Sequence, residues 1–204
     1  MARSDIQPIV DQYLPVIQRL IQEQSRFSEP FRNRFDHTLR VLIWAGRIQE
    51  LEGGDREIVS LAVLFHDVGW SETENHALIS ASLAEETLQE THLDRSKLDR
   101  ILSAVRTHNE RKISREELPL ENRIVMDADF LDELGVTTMV WDALKVAGGD
   151  NPSYLKVYEK DHNFYLEALK KRRFLKTDAG IKFYDERLNF WKLVLDNLKF
   201  ELGL

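Results

Sequence analysis

The 204-residue sequence contains no cysteine, which excludes disulfides, thiolate metal ligands and cysteine nucleophiles. It also lacks long hydrophobic runs, since the stretch LAVLF at 61–65 is far too short to span a bilayer. No apolar segment typical of a signal peptide follows the first residues, so we expect a cytoplasmic protein with no membrane partner. The formal net charge is -7, which argues against binding of duplex nucleic acid but permits a local cationic pocket.

Strand-like alternation, internal repeats and low-complexity linkers are also missing, whereas apolar residues recur at helical spacing along most of the chain. The pattern therefore predicts an all-α fold. The first predicted helix ends near residue 23. The other predicted helices cover about 32–51, 56–67, 76–90, 96–108, 121–134, 136–147, 153–172 and 179–201. A capping box at Ser4–Gln7 fits the start of the first helix, and Asp55 and Asn75 are expected to cap the third and fourth. The break at 148–152 separates a core (1–148) from a C-terminal helical extension (149–204), which we expect to pack on it.

Four side chains with metal-binding chemistry lie at the ends of apolar stripes on three of these helices. They are His37, the adjacent pair His66 and Asp67, and Asp129. Each alone is explained by a helix cap or a hydrogen-bonded core residue, but their coincidence favours a shared cation, because carboxylates are rarely buried without a partner. Asp127, two residues before Asp129, is an alternative ligand.

The order of these residues resembles the HD-domain phosphohydrolase superfamily, which carries a histidine, a histidine–aspartate pair and a distant aspartate. The matching segments are HTLRV at 37–41, LFHDVG at 64–69 and DADFLD at 127–132, within a resemblance that covers about 30–135. It implies an HD-domain helical bundle with its metal site between helices. His76, His108 and the segment 127–129 also resemble a small bacterial-type subgroup of predicted HD hydrolases, whose known enzymes act on nucleotides.

The resemblance implies a metal-dependent phosphohydrolase that uses a metal-activated water to cleave a phosphoester or phosphoanhydride bond, most readily in a nucleotide. The ligands His37, His66, Asp67 and Asp129 suit Mn²⁺, Mg²⁺, Co²⁺ or Fe²⁺, and Zn²⁺ or Ni²⁺ also fits. Asp67 would both bind the ion and orient the water. The expected partner is a small phosphorylated substrate, while the oligomeric state stays open.

Further residues of the expected site are histidines and cations near the ligands. His76 and His108 are candidate proton donors or orienting partners, and Arg40, one turn from His37, is the first choice for a phosphate contact. Three cations that flank His108 can reach the same cleft: Arg106, Arg111 and Lys112. The cationic run at 170–173 is interpreted as a solvated face, and His92 and His162 carry no distinctive context.

Two alternatives follow from departures from this pattern. Related HD nucleotidases have a catalytic glutamate three residues beyond the aspartate of the pair, where this chain has Trp70, so the general acid is left open. The missing glutamate favours a non-catalytic module that binds a nucleotide or a protein through a vestigial metal site. A second metal at His76 and His108 would instead indicate a di-iron oxygenase, although the spacing from Asp67 to His76 is not that of the oxygenase relatives.

Overall fold

The structure, a computed structural model, describes residues 7–24, 33–71, 75–89, 91 and 93–204. Within these ranges the chain forms helices and no strand, which confirms the all-α prediction. The α-helices are α1 (Gln7–Gln24), α2 (Arg34–Glu52), α3 (Arg56–Phe65), α4 (His76–Leu88), α5 (Arg95–Thr107), α6 (Leu120–Asp132), α7 (Val136–Ala147), α8 (Tyr154–Lys171) and α9 (Asp178–Glu201). Two short 3-10 turns accompany them, at Arg115–Glu117 and Arg172–Phe174.

The predicted caps of α3 and α4 are confirmed. The Asp55 carboxylate accepts hydrogen bonds from the first backbone N–H groups of α3, and the Asn75 side chain accepts one from Ala77 at 3.2 Å. The predicted α3 was too long, because the helix ends at Phe65 and the His66–Asp67 pair lies in the turn that follows. The capping box at Ser4–Gln7 lies, except for its last residue, outside the described residues.

Helix α3 forms the centre of the bundle. Every side chain from Ile58 to Phe65 is buried, with α1, α2, α5 and α6 packed around the helix. Because α3 is enclosed on all sides, its sequence carries an almost continuous apolar run and no polar stripe. His66 and Asp67 therefore lie at the interior end of a buried helix.

The turn after α3 packs closely against the start of α4. A Cβ atom at Gly69 would lie 2.5 Å from the Ile79 side chain and 2.7 Å from the backbone nitrogen of Ser80, so a larger residue does not fit. The Gly69 N–H also donates to the Ser80 hydroxyl at 3.0 Å. This close approach brings His76, the first residue of α4, beside the His66–Asp67 turn.

The C-terminal helices contact helices from the N-terminal part of the chain. Helix α9 contacts α2 and α6, while α8 lies between α7 and α9. Trp191 of α9 is fully buried and stacks on Phe164 of α8, and Tyr184 of α9 stacks on Phe130 of α6. None of the helices in the described residues combines the length and the apolar character that crossing a bilayer requires. The boundary at 148/149 stays a prediction.

Candidate metal centre

The four predicted ligands meet at one point between the helix ends. His37 lies in the first turns of α2, His66 and Asp67 follow α3, and Asp129 lies on α6. The Nε2 atom of His37 is 3.2 Å from Nε2 of His66, 3.3 Å from an Asp129 oxygen and 3.6 Å from an Asp67 oxygen. His66 Nε2 is 3.7 Å from Asp67 and 3.9 Å from Asp129. One ion could therefore contact all four side chains, and their role as ligands stays a prediction.

A second group of donors lies on the other side of Asp67. Nε2 of His76 and Nε2 of His108 are 3.2 Å apart, and each is 3.5 Å from Oδ1 of Asp67. The first group faces the other carboxylate oxygen, Oδ2. Among the described residues, two sets with metal-binding geometry therefore adjoin, namely His37, His66 and Asp129, and Asp67, His76 and His108. Asp67 is placed to bridge them.

The tautomers of the histidines direct lone pairs into this centre. The Nδ1–H groups of His66 and His108 donate to backbone carbonyl oxygens one turn earlier, both at 2.7 Å, which leaves Nε2 of each ring as an acceptor. Nδ1 of His37 is held by Asp132 at 2.8 Å, so its Nε2 also points inward. When His37 is neutral, its Nε2 atom and that of His66 are both acceptors and cannot bond to each other, whereas a cation between them satisfies both. The donor set therefore fits a divalent metal ion.

The electrostatics of the centre also favour a cation. Burial opposes ionisation of Asp67 and Asp129, but the imidazole and guanidinium groups around them outweigh it and hold the pKa of both well below the usual carboxyl range. Burial lowers the pKa of His66 to about 4, which keeps the ring neutral. Burial also acts to lower the pKa of His37, but hydrogen bonds to Asp129 and Asp132 outweigh it and raise the pKa to about 10. Without a bound ion, the His37 ring thus carries the positive charge that these carboxylates favour at the centre.

Two arginines reach the centre from opposite sides. Arg34 donates to Oδ2 of Asp67 at 2.8 Å, and its guanidinium lies 4.4 Å from the centroid of the Trp70 ring. Trp70, which occupies the position of the family glutamate, therefore supports a cation instead of supplying an acid. Arg111 donates to Asp129 at 2.9 Å and lies over the ring of Phe130. Arg111 was among the cations expected near the cleft, whereas Arg34 was missed by sequence reasoning.

Arg40 is not brought into contact with the donor groups. Its guanidinium makes two hydrogen bonds to Asp132, at 2.8 and 2.9 Å, and Asp132 in turn holds His37. Arg40 therefore orients the candidate ligand His37 through Asp132. Its contact with a phosphate stays a prediction. Asp132 was not among the residues expected at the site. Its spacing from Asp129, three residues along one helix face, was the available signal for its role.

Asp127, the alternative ligand, lies away from the metal centre. The buried Asp127 carboxylate accepts hydrogen bonds from the backbone N–H groups of Lys176 and Thr177 and from the Thr177 hydroxyl. A Cβ atom at Gly180 would lie 2.3 Å from the same carboxylate, so α9 needs glycine there. Asp127 thus anchors the C-terminal helices, while Asp129, two residues later, faces the metal donors.

Glu133 is a further acidic residue that the sequence reasoning missed. It follows Asp129 by one turn, and its carboxylate lies 3.9 Å from Arg111. Partial burial raises its pKa, and the negative charge of Asp129 raises it further. A carboxyl group with a raised pKa beside the candidate metal ligands has the chemistry of a proton donor.

His162 does not take part in the described site. His162 stacks on Tyr158 within α8, with the ring centroids 5.6 Å apart. His92 lies outside the described residues.

The geometry defines an all-α protein with two adjoining histidine–carboxylate groups at its centre. The chain belongs to the HD-domain superfamily, since the model of the HD domain matches residues 34–134. Together with the donor groups, this makes the protein a metal-dependent hydrolase.

Individual relatives are similar over most of the chain. The uncharacterized protein YpgQ of Bacillus subtilis (strain 168) is 26% identical over 157 residues, which are 76% of this chain and 77% of the relative. The solved structure of an HD-superfamily hydrolase from Bacillus thuringiensis has a TM-score of 0.72 at 21% identity, covering 97% of this chain and 98% of that one. Bacillus subtilis YpgQ in complex with ADP has a TM-score of 0.67 at 21% identity, covering 94% of each chain. These structures support the fold.

Proposed function

We propose that this hydrolase is a phosphohydrolase that cleaves a phosphoester or phosphoanhydride bond of a nucleotide. The observation that carries the proposal is the pair of donor groups joined by Asp67 and flanked by Arg34 and Arg111. Metal ligands next to guanidinium groups suit an anionic phosphoryl group. The complex of the relative YpgQ with ADP supports a nucleotide as the ligand.

The residues that would hold the metal are His37, His66 and Asp129 on one side of Asp67, and His76 and His108 on the other. A divalent ion bound there, with Mn²⁺, Mg²⁺, Co²⁺ or Fe²⁺ preferred, would supply an activated water and polarise a phosphoryl oxygen. Within the chain, Asp67 orients the water, while Arg34 and Arg111 attract and align the phosphate.

The proton for the leaving oxygen needs a separate donor. His76 and His108 were predicted as proton donors or orienting partners. Because their Nε2 atoms form a metal-binding group with Asp67, we assign them to metal binding instead. Glu133 takes the donor role in this proposal, because its raised pKa keeps it protonated at higher pH than an ordinary carboxyl.

Hydrolysis is tested with a panel of nucleoside mono-, di- and triphosphates in the presence of each preferred metal. The protein should release phosphate or pyrophosphate from at least one member, and Asp67→Ala should abolish release while the helical circular dichroism is retained. Asp161→Asn, which alters a buried carboxyl group of α8 outside the centre, is the matched control and should keep the activity. No release by the wild type with any of these metals would contradict the proposal and favour the non-catalytic module.

The second donor group also fits the di-iron alternative. The two cations at the centre favour hydrolysis, because guanidinium groups suit an anionic phosphoryl substrate. An anaerobic assay separates the two reactions. Phosphate release that is unchanged without oxygen supports hydrolysis, and turnover that depends on oxygen consumption supports the oxygenase.

A further inference from the structure

A cationic pocket lies next to the metal centre, between the loop after α5 and the segment before α9. Its volume is about 390 Å³, and no acidic residue is among those that line it. Five of the nine lining residues are cationic: Arg111, Lys112, Arg115, Arg173 and Lys176. A cavity with this lining is suited to an anion of high charge density.

Some of these charges are already neutralised by the protein itself. Arg115 pairs with Asp178 at 2.6 Å, and Arg111 pairs with Asp129. In the described part of the chain, neither Lys112 nor Arg173 forms an ion pair with a carboxylate, although the guanidinium of Arg173 lies over the ring of its neighbour Phe174. The pocket therefore carries positive charge that the protein leaves uncompensated.

Lys176 supplies the strongest indication of an anion. Its residue is 5% exposed, and its ammonium group donates to the carbonyl oxygens of Arg111 at 3.1 Å and Ile113 at 2.5 Å. Both acceptors are neutral, so the described residues provide no counter-charge within salt-bridge distance of this buried cation. Because burial of a charge without a counter-charge is costly, a bound anion in the adjacent pocket would stabilise the arrangement.

Arg111 connects the pocket to the metal centre. Its main chain is held by Lys176 on the pocket side, while its guanidinium contacts Asp129. A substrate with several phosphates could therefore place one phosphoryl group at the metal ligands and extend others past Arg111.

From this arrangement we infer that the pocket binds the phosphate groups of the substrate that lie beyond the phosphorus under attack. The inference rests on the proposed phosphohydrolysis and adds to it a preference for a polyphosphate chain. Two other cations of the basic run at 170–173 pair with carboxylates and do not share this role. Lys170 pairs with Glu167 and Arg172 with Asp185, as expected of a solvated face.

The test compares two double variants that remove equal charge. Lys112→Gln with Arg173→Gln alters the pocket, whereas Lys156→Gln with Lys170→Gln alters exposed lysines of α8. Inorganic pyrophosphate is titrated calorimetrically into metal-free protein at low ionic strength. The pocket variant should bind it about tenfold more weakly than the wild type, since two charge contacts are lost, and the control variant should match the wild type. Equal affinities for the pocket variant and the wild type would overturn the inference.

A kinetic measurement tests whether the pocket binds the substrate. With a hydrolysed nucleoside triphosphate, the pocket variant should raise KM about tenfold with kcat nearly unchanged, and pyrophosphate should compete with the substrate. If the pocket variant weakens pyrophosphate binding but leaves KM unchanged, the pocket serves a separate anion and the assignment to the substrate is wrong. If the wild type hydrolyses no nucleotide, the proposed function fails and the assignment to the substrate fails with it. The calorimetric comparison still decides whether the pocket binds phosphate.

Discussion

Two regions of this protein bury acidic side chains in opposite electrostatic settings. At the metal centre, Asp67 and Asp129 are surrounded by imidazole and guanidinium groups that hold their pKa values low. Between α7 and α8, Asp142 and Asp161 are buried side by side with Lys160 3.3 Å from Asp142, and one oxygen of Asp161 has no hydrogen-bond partner. Burial, and then the charge of Asp142, raise the pKa of Asp161 to about 7.

The difference shows that buried carboxylates alone do not make a metal site. Carboxylates beside imidazole and guanidinium groups that donate to them stay ionised and ready for a divalent ion. Carboxylates beside each other hold a proton instead. The two settings therefore predict opposite consequences when a single carboxylate is replaced by its amide.

The largest expected effect is loss of catalysis at the metal centre. Asp129→Asn should lower kcat/KM for phosphate release by about a thousandfold or more, because it removes a carboxylate that faces both His37 and His66. Asp161→Asn should leave kcat/KM within about twofold of the wild type. Similar losses in the two variants, measured under the same metal loading, would erase the distinction between the regions.

The second effect concerns the proton donor. Glu133→Gln should lower kcat by about a hundredfold, since it removes the acid for the leaving oxygen. A general acid acts in its protonated form, so the rate of the wild type should fall as pH rises through the raised pKa of Glu133. That descending limb should be missing from the pH–rate profile of the variant. Glu117→Gln, an exposed glutamate of the 3-10 turn, is the control, and a limb that persists in Glu133→Gln rules out this donor.

Asp132→Asn should weaken metal binding by about tenfold to a hundredfold, a smaller effect than loss of a ligand. Asp132 holds Nδ1 of His37 and both donors of Arg40, so the variant loosens the orientation of a ligand without removing it. Calorimetric titration with Mn²⁺ measures the change. Unaltered affinity would show that His37 is positioned without this contact.

The smallest effect is a gain in stability at the acidic pair. The folded pKa of Asp161, about 7, lies above the value of 3.8 for an ordinary aspartate, so the folded protein binds the extra proton between these values. The free energy of unfolding therefore falls as pH rises from about 4 to 7, and the penalty is complete above that range. Asp161→Asn should raise the free energy of unfolding by about 1–2 kcal/mol at pH 8, which is roughly 4 °C in Tm, and by less at pH 5. A variant that is less stable than the wild type at pH 8 contradicts this reading of the pair.

Sequence reasoning went furthest where local rules apply. Helical periodicity and the Asp55 and Asn75 caps define the helix bounds to within about two residues, and the motif order indicated four candidate ligands that the structure brings together. The choice between Asp127 and Asp129 depends on which face of α6 meets α9, and spacing alone does not encode that contact.

Other features depended on long-range packing. Arg34 reaches Asp67 because it lies on Trp70, and Glu133 acquires its raised pKa from the burial around it. The cationic pocket joins residues 111–115 to residues 173–176, which are far apart in the sequence. The acidic pair of α7 and α8 joins residues 19 positions apart, and neither residue stands out in its own helix.

The central claim is that Asp67 unites two metal-binding groups, and titration of the metal-free protein with Mn²⁺ tests it most directly. We predict that the wild type binds one ion for each donor group. Asp67→Asn should lose affinity at both, because its two carboxylate oxygens face different groups. An Asp67→Asn protein that takes up Mn²⁺ with the stoichiometry and affinity of the wild type would contradict the account.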